Sequence, residues 1–277
     1  MSLEFTQHTV PTVPLEAESL SVASLAGLSA AAAAKLTVVH GNRAAEIGDF
    51  FDVAGAPDGE VHVSGDLSRV KHVGADMAAG RLVVHGTVGM HLGTRMTGGE
   101  IVVEGDAGDW VGSDMRGGRI IVRGDAGHLT GSAVRGEHVG MHGGEILVFG
   151  SAGNEVGSSM RRGLIAIGGN AGDFTGVSML AGTIVVLGRM GARPGAGMRR
   201  GTIVAMHPAE MLPTFGYACT YRPVFVRLYL AHLRALGMPI TEAHMHGPYR
   251  RWCGDAIELN RGEVLMLDEG TAATPAG

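Results

Sequence analysis

"GGEIVVEGDAGDWVGSDMR" (residues 98–116) is followed at once by "GGRIIVRGDAGHLTGSAVR" (residues 117–135). The two stretches share length, glycines and a β-branched run, and they exchange Glu100 for Arg119. The pattern continues in both directions. The glycines that open each apolar run are Gly59, Gly80, Gly99, Gly118, Gly144, Gly163, Gly182 and Gly201, spaced 21, 19, 19, 26, 19, 19 and 19 residues apart. The long interval reads as one unit plus the insert "GEHVGMH" (residues 136–142). Further glycines recur at fixed offsets, as Gly105, Gly108 and Gly112 do after Gly99. Between them the segments are too short for a helix, and one unit cannot bury its own apolar residues. Stacked units share a core and pair their strands in parallel. The expected fold is all-β: a right-handed parallel β-helix of about eight coils, since the hexapeptide period of left-handed forms is missing.

Successive strand residues point to opposite faces. Two and four after the opening glycine stand pairs such as Ile101/Val103, Ile120/Val122 and Ile146/Val148, which form the expected core. One after it runs Glu60, Arg81, Glu100, Arg119, Glu145 on the outer face. Rungs lie ~4.8 Å apart, so opposite charges alternate up the stack. Each exposed pair contributes at most about 1 kcal/mol, but a slipped rung would set like charges together. Position three shares the outer parity yet reads Val83, Val102, Ile121, Leu147, Ala166, Val185, Val204. An open apolar stripe of that length, ~30 Å, would drive association. It is expected to be covered by the C-terminal extension or by a partner.

Residues 1–34 read as a short strand and a small helix, 35–206 as the solenoid with an irregular first coil over 35–55, and 207–277 as an extension. The extension holds an amphipathic helix over 223–236, ended by Gly237 with Pro239 beyond, then candidate strands and a disordered tail from Asp268. Of 277 residues, 46 are Gly and 10 Pro, without collagen's triplet period. The net charge of −5 gives no general attraction to nucleic acid or anionic lipid. Cys219 and Cys253 form no disulfide framework. The Ala-rich run over 20–36 follows Glu16 and Glu18 rather than a basic segment, so it reads as a helix, not a signal peptide. No apolar run spans a membrane, and the expected location is cytoplasmic.

Candidate chemistry is sparse. His138/His142 and His244/His246 have ligand-like spacing but no third ligand, so no metal site is expected. Asp66, Asp106, Asp125 and Asn170, all seven after the opening glycine, read as turn residues bonding their own backbone rather than as glycosidase carboxylates. The Met series Met96, Met115, Met160, Met179, Met198 reads as a core ladder. No catalytic residue is expected. At seventeen after the glycine stand Arg116, Arg135, Arg161 and Arg199, with Arg162 and Arg200 beside them and Leu180 interrupting. Guanidinium groups on adjacent rungs would repel unless carboxylates faced them. The column is therefore expected to meet an anionic partner surface or a polyanion.

The stacked "GG-IVV-GDAG" units resemble the β-helical domain that closes the large subunit of glutamate synthase. With "HGNRAAEIGDFFDVAG" (residues 40–55) ahead of the coils and "MLPTF" (residues 211–215) after them, the whole chain more closely resembles the C-subunit family of formylmethanofuran dehydrogenase. That resemblance implies a scaffold without catalytic residues. It packs against an amidohydrolase-like A subunit, a B subunit related to molybdo/tungsto-enzymes and, in methylotrophic bacteria, a formyltransferase subunit. The bacterial formyltransferase/hydrolase complex takes formyl groups from formyltetrahydromethanopterin to formate through a methanofuran-type carrier (methylofuran) with a polyglutamate tail. The Ala, Gly and Arg richness and only two Lys favour this bacterial form. The Arg column then faces a subunit or the carrier's tail. Alternatives are a redox-active Mo/W dehydrogenase subunit, a glutamate-synthase-type coupling domain and a free-standing carbohydrate-active β-helix.

Overall fold

The computed structural model describes residues 2–268, and all but Asp268 of the expected disordered tail lies outside them. Strands dominate. Before the repeats come β1 (Leu3–Gln7), β2 (Leu15–Glu16), β3 (Thr37–His40), β4 (Arg43–Glu46) and β5 (Phe51–Gly55), with short helices α1 (Val22–Leu25) and α2 (Ala30–Ala33). The repeats supply β6 (Glu60–Ser64), β7 (Val70–Lys71), β8 (Arg81–His85), β9 (Glu100–Val103), β10 (Arg119–Val122), β11 (Glu145–Val148), β12 (Leu164–Ile167), β13 (Thr183–Val186) and β14 (Thr202–Ala205). The extension adds β15 (Gly216–Tyr221), α3 (Val224–Ala235), α4 (Glu242–His246), β16 (Tyr249–Gly254) and β17 (Gly262–Leu267).

From β6 through β8 to β14 each repeat strand pairs in parallel with the next, in the register that the glycine spacing sets. Ile101, Ile120, Ile146, Ile165, Ile184 and Ile203 form one fully buried column. A second parallel ladder links Leu67, Val88, Ala107, Ala126, Ala152, Ala171 and Met190. Glycine is required where the chain turns between ladders. Gly112 has φ +62°, and a Cβ there would lie 2.5 Å from Ile146 Cδ1.

The polar turn residues bind upward. Asp106 Oδ1 accepts the Asp125 N–H (2.8 Å), Asp125 Oδ1 that of Ser151 (2.6 Å), and Asn170 Oδ1 that of Arg189 (2.8 Å). Only Asp66 bonds its own turn, at the Ser68 N–H (3.0 Å). The expectation of turns bonding their own backbone therefore holds for Asp66 alone. Elsewhere the rung above offers an otherwise unpaired donor at the same height.

Residues 35–55 differ from the expected irregular coil. β3 and β4 form an antiparallel hairpin about Gly41 (φ +66°), within a second sheet ordered β4-β3-β2-β7. β5 runs antiparallel to β1, and β1 pairs in parallel with β6, so the N-terminal segment covers the first rung. At the other end β17 pairs in parallel with β14 as one further rung, and β16 and β15 follow antiparallel.

Candidate interaction surfaces

The outward column Val83, Val102, Ile121, Leu147, Ala166, Val185, Val204 is in register and buried along its whole length. Its two ends are shielded differently. From Leu147 to Val204 the chain's own α3 lies over it, burying Val226, Leu230 and Leu233 in one cluster with Leu187, Met206, Tyr249 and Leu265. Leu147 and Val185, expected under a partner or the extension, are thus covered by the extension. A helix with an apolar stripe is the nearest element able to bury them.

Val83, Val102 and Ile121 lie outside that cluster, with longer side chains along both flanks. On one flank Arg81 bonds Glu60 (2.9 Å) and Glu100 (3.2 Å), and Arg119 bonds Glu145 (2.8 Å). On the other, one ring nitrogen of His85 lies 2.8 Å from Glu104 Oε2 and the second 2.9 Å from His62, which stands in the column itself one rung below Val83. Arg123 sits 4.4 Å over the Phe149 ring. Glu145 joins the two ends, since its other oxygen lies 2.7 Å from His232 Nε2 on α3.

The arginine column departs from its expected register. Backbone N–H groups of Arg116, His142, Arg161, Leu180 and Arg199 bond the carbonyls of Met96, Met115, Met141, Met160 and Met179. His142 therefore holds the rung assigned to Arg135, and Met141 completes the core Met column. The extra residues are 133–139, not 136–142, so Arg135 sits in the extruded loop. Counting back three from each opening glycine finds Met77, Met96, Met115, Met141 and Met160, which is the signal that forward counting missed. With His142 and Leu180 between them, the arginines occupy alternate rungs, ~10 Å apart, near the screening length at physiological salt. Repulsion between adjacent rungs is therefore absent, and the column requires no facing carboxylates. Arg116 and Arg199 have partners in Asp114 (3.7 Å) and Glu258 (3.2 Å). The exposed side chains of Arg135, Arg161, Arg162 and Arg200 make no hydrogen bond or ion pair among the described residues.

His138 lies in the loop and His142 in the rung, 3.1 Å from Asp114, so the pair is split. His244 caps α4 by accepting the Thr241 N–H, and His246 lies 3.3 Å from Glu242. No three His, Cys, Asp or Glu side chains among the described residues gather as a metal site, and none of the described helices is long and apolar enough to cross a membrane.

Sequence reasoning missed a column at one corner, where His72, His91, Trp110, Leu129, Glu155, Phe174 and Arg193 all have φ near +60°. His72 stacks on His91 at 4.7 Å, and His91 on Trp110 at 5.1 Å. Burial, then the neighbouring His72, pushes the His91 imidazole down to about 4, and burial lowers His72 as well. The column shares a backbone conformation but no side-chain type, so no motif marks it.

A family model described as the GXGXG motif matches residues 85–215. The C subunit of the tungsten-containing formylmethanofuran dehydrogenase 2 of Methanothermobacter thermautotrophicus is 43% identical over 85 residues, 29% of this chain and 32% of that protein. The C subunit of the molybdenum-containing formylmethanofuran dehydrogenase 1 of Methanosarcina barkeri is 40% identical over 83 residues, 28% of each. These matches span at most about a third of the curated relatives' own length. The likeness to a solved structure runs further. A chain in the crystal structure of the formyltransferase/hydrolase complex (FhcABCD) from Methylorubrum extorquens, in complex with methylofuran, superposes with a TM-score of 0.90 at 36% identity. It covers 95% of this chain and 99% of that one. The chain belongs to the C-subunit family of formylmethanofuran dehydrogenase. In this C-subunit fold the repeat supplies the paired ladders, and the covered column and the arginine edge are its two distinctive outer surfaces.

Proposed function

We propose that this C-subunit homologue is a non-catalytic structural subunit of a formyltransferase/hydrolase complex of one-carbon metabolism in the cytoplasm. In this reading its stacked rungs from β6 to β14 form a right-handed parallel β-helix, preceded by the N-terminal strands and followed by the extension. It holds together an amidohydrolase-like A subunit, a B subunit related to molybdo/tungsto-enzymes and a formyltransferase, around a polyglutamylated methylofuran carrier. The observation that carries this reading is the near-complete superposition on one chain of a complex bearing that name. A structural role is supported by the use of Asp106, Asp125 and Asn170, which hold backbone N–H groups of the next rung.

The second reading, a subunit of a redox-active Mo/W formylmethanofuran dehydrogenase, is favoured by the curated relatives' names. In either reading the free arginines Arg161, Arg162 and Arg200 offer an edge to a neighbouring subunit or to the carrier's tail. The native complex purified on a tag at this chain should release formate from formylated carrier without an electron acceptor. Stoichiometric molybdenum or tungsten with dye reduction would instead establish the dehydrogenase reading. Formate release by the isolated chain would end the structural one. In the same preparation, Arg161→Ala with Arg200→Ala should release carrier or a neighbouring subunit, and retention of both at high salt would remove these arginines from either role.

A further inference from the structure

Helix α3 is apolar on two sides. Its inner side buries Val226, Leu230 and Leu233 against the rungs. Its outer side presents Val224 and Leu228, 70% and 73% exposed, with Phe225 and Tyr229 beside them. α3 thus carries apolar residues beyond the stripe that faces the rungs. A contiguous exposed apolar patch on a soluble chain marks an association site. Beside the patch a cleft of about 470 Å³ opens between α3 and the rungs, bounded by Leu164, Leu228, Tyr229, His232 and Glu145, whose carboxylate is held by Arg119 and His232. It is shallow and has room for more than one apolar side chain from outside.

The charges around the patch select the occupant. α3 carries Arg227, His232 and Arg234 and no acidic residue. Arg234 is held by Glu242 (2.8 Å), and His232 by Glu145 (2.7 Å). Exposed Arg227 makes no hydrogen bond or ion pair among the described residues, and Arg222, also exposed, bonds only the His246 carbonyl (3.1 Å). A second copy of this helix would set Arg227 of each chain beside the same cation of the other. A surface with an apolar centre and a carboxylate rim complements it.

We propose that the outer side of α3 is the docking surface for a different protein chain, one presenting an apolar knob ringed by Asp and Glu. This deepens the reading as part of a complex and rests on it. A photo-crosslinking residue at position 228 of the tagged chain, in the native complex, should link to a peptide of another chain that contains acidic residues. Leu228→Glu should lower the yield of assembled complex at least tenfold while the chain's own Tm stays within a few degrees, because the site is exposed. Arg227→Glu should weaken assembly at low salt and much less at high salt. Cross-links confined to this chain or to a second copy, or wild-type assembly of Leu228→Glu, would overturn the proposal while the complex itself stands. If no other protein co-purifies at all, both the complex reading and this docking surface fail.

Discussion

Rungs β8–β10 and rungs β11–β14 carry the same outward column of apolar residues and keep water from it by different means. Around Val83, Val102 and Ile121 the neighbours on each rung are Arg81 and His85, Glu100 and Glu104, Arg119 and Arg123. Their stems and rings flank the small side chains while their charges pair from rung to rung. From β12 onward the flanks become Leu164, Thr183 with Leu187, and Thr202 with Met206, which carry no charge, and only Thr202 among them donates to a carboxylate, that of Glu263 (2.8 Å). There a helix is laid across. β11 marks the change, with Glu145 serving Arg119 on one side and His232 on the other. The flanking residues, rather than the apolar column itself, decide whether a β-face recruits a second layer.

The difference is breakable by experiment. Leu230→Ala, in the helix cluster, should cost about 2–5 kcal/mol. Hydrogen exchange should then speed up in β11–β14 and α3 while β8–β10 keep their protection. Equal loss in both halves would show that the stack unfolds as one unit and that the helix does not act locally. The next effect belongs to the N-terminal half and is read by pH. An unfolded His titrates near 6.5, whereas burial holds His91 at about 4. The unfolded chain therefore binds the extra proton in that window, and stability falls as pH drops from 6.5 towards 4. His91→Phe, which the Phe174 rung shows to be compatible with this backbone, should flatten the slope in denaturant titrations at successive pH values. An unchanged slope would assign the acid sensitivity elsewhere. The smallest effect is that of the charged flank. Glu100→Gln should cost under about 1 kcal/mol, and 1 M salt should erase the difference from wild type. A larger, salt-independent loss would mean that Glu100 supports Val102 by packing instead.

Much of this was legible in the residues. The recurrence of glycine fixed where each strand starts, and residue parity fixed which side chains turn inward, because both follow from local sterics. Helix α3 was legible from its apolar period and from Gly237. Three features were not. The position of the extra residues depended on which Met enters the core, Met141 or none, and a count running forward from Gly118 passes over it. The hairpin of β3 and β4 pairs with β2, which in turn pairs with β7, an arrangement that no local pattern announces. The register of the arginine edge was misread for the same reason as the insert: a shift of seven residues put His142 in the rung assigned to Arg135.

The loop at 133–139 also says something about chain length. The rungs on either side of it keep their register, with Ile120 still opposite Ile146 and Met141 seated on Gly131. The strands meter the chain in fixed steps, and the corner after Ser132 does not meter it at all. Length is conserved in one place and free in the other. A foreign peptide spliced between Val134 and Val139 would lie outside the counting altogether, which makes this corner an attachment point for a reporter or affinity handle on an otherwise rigid gauge.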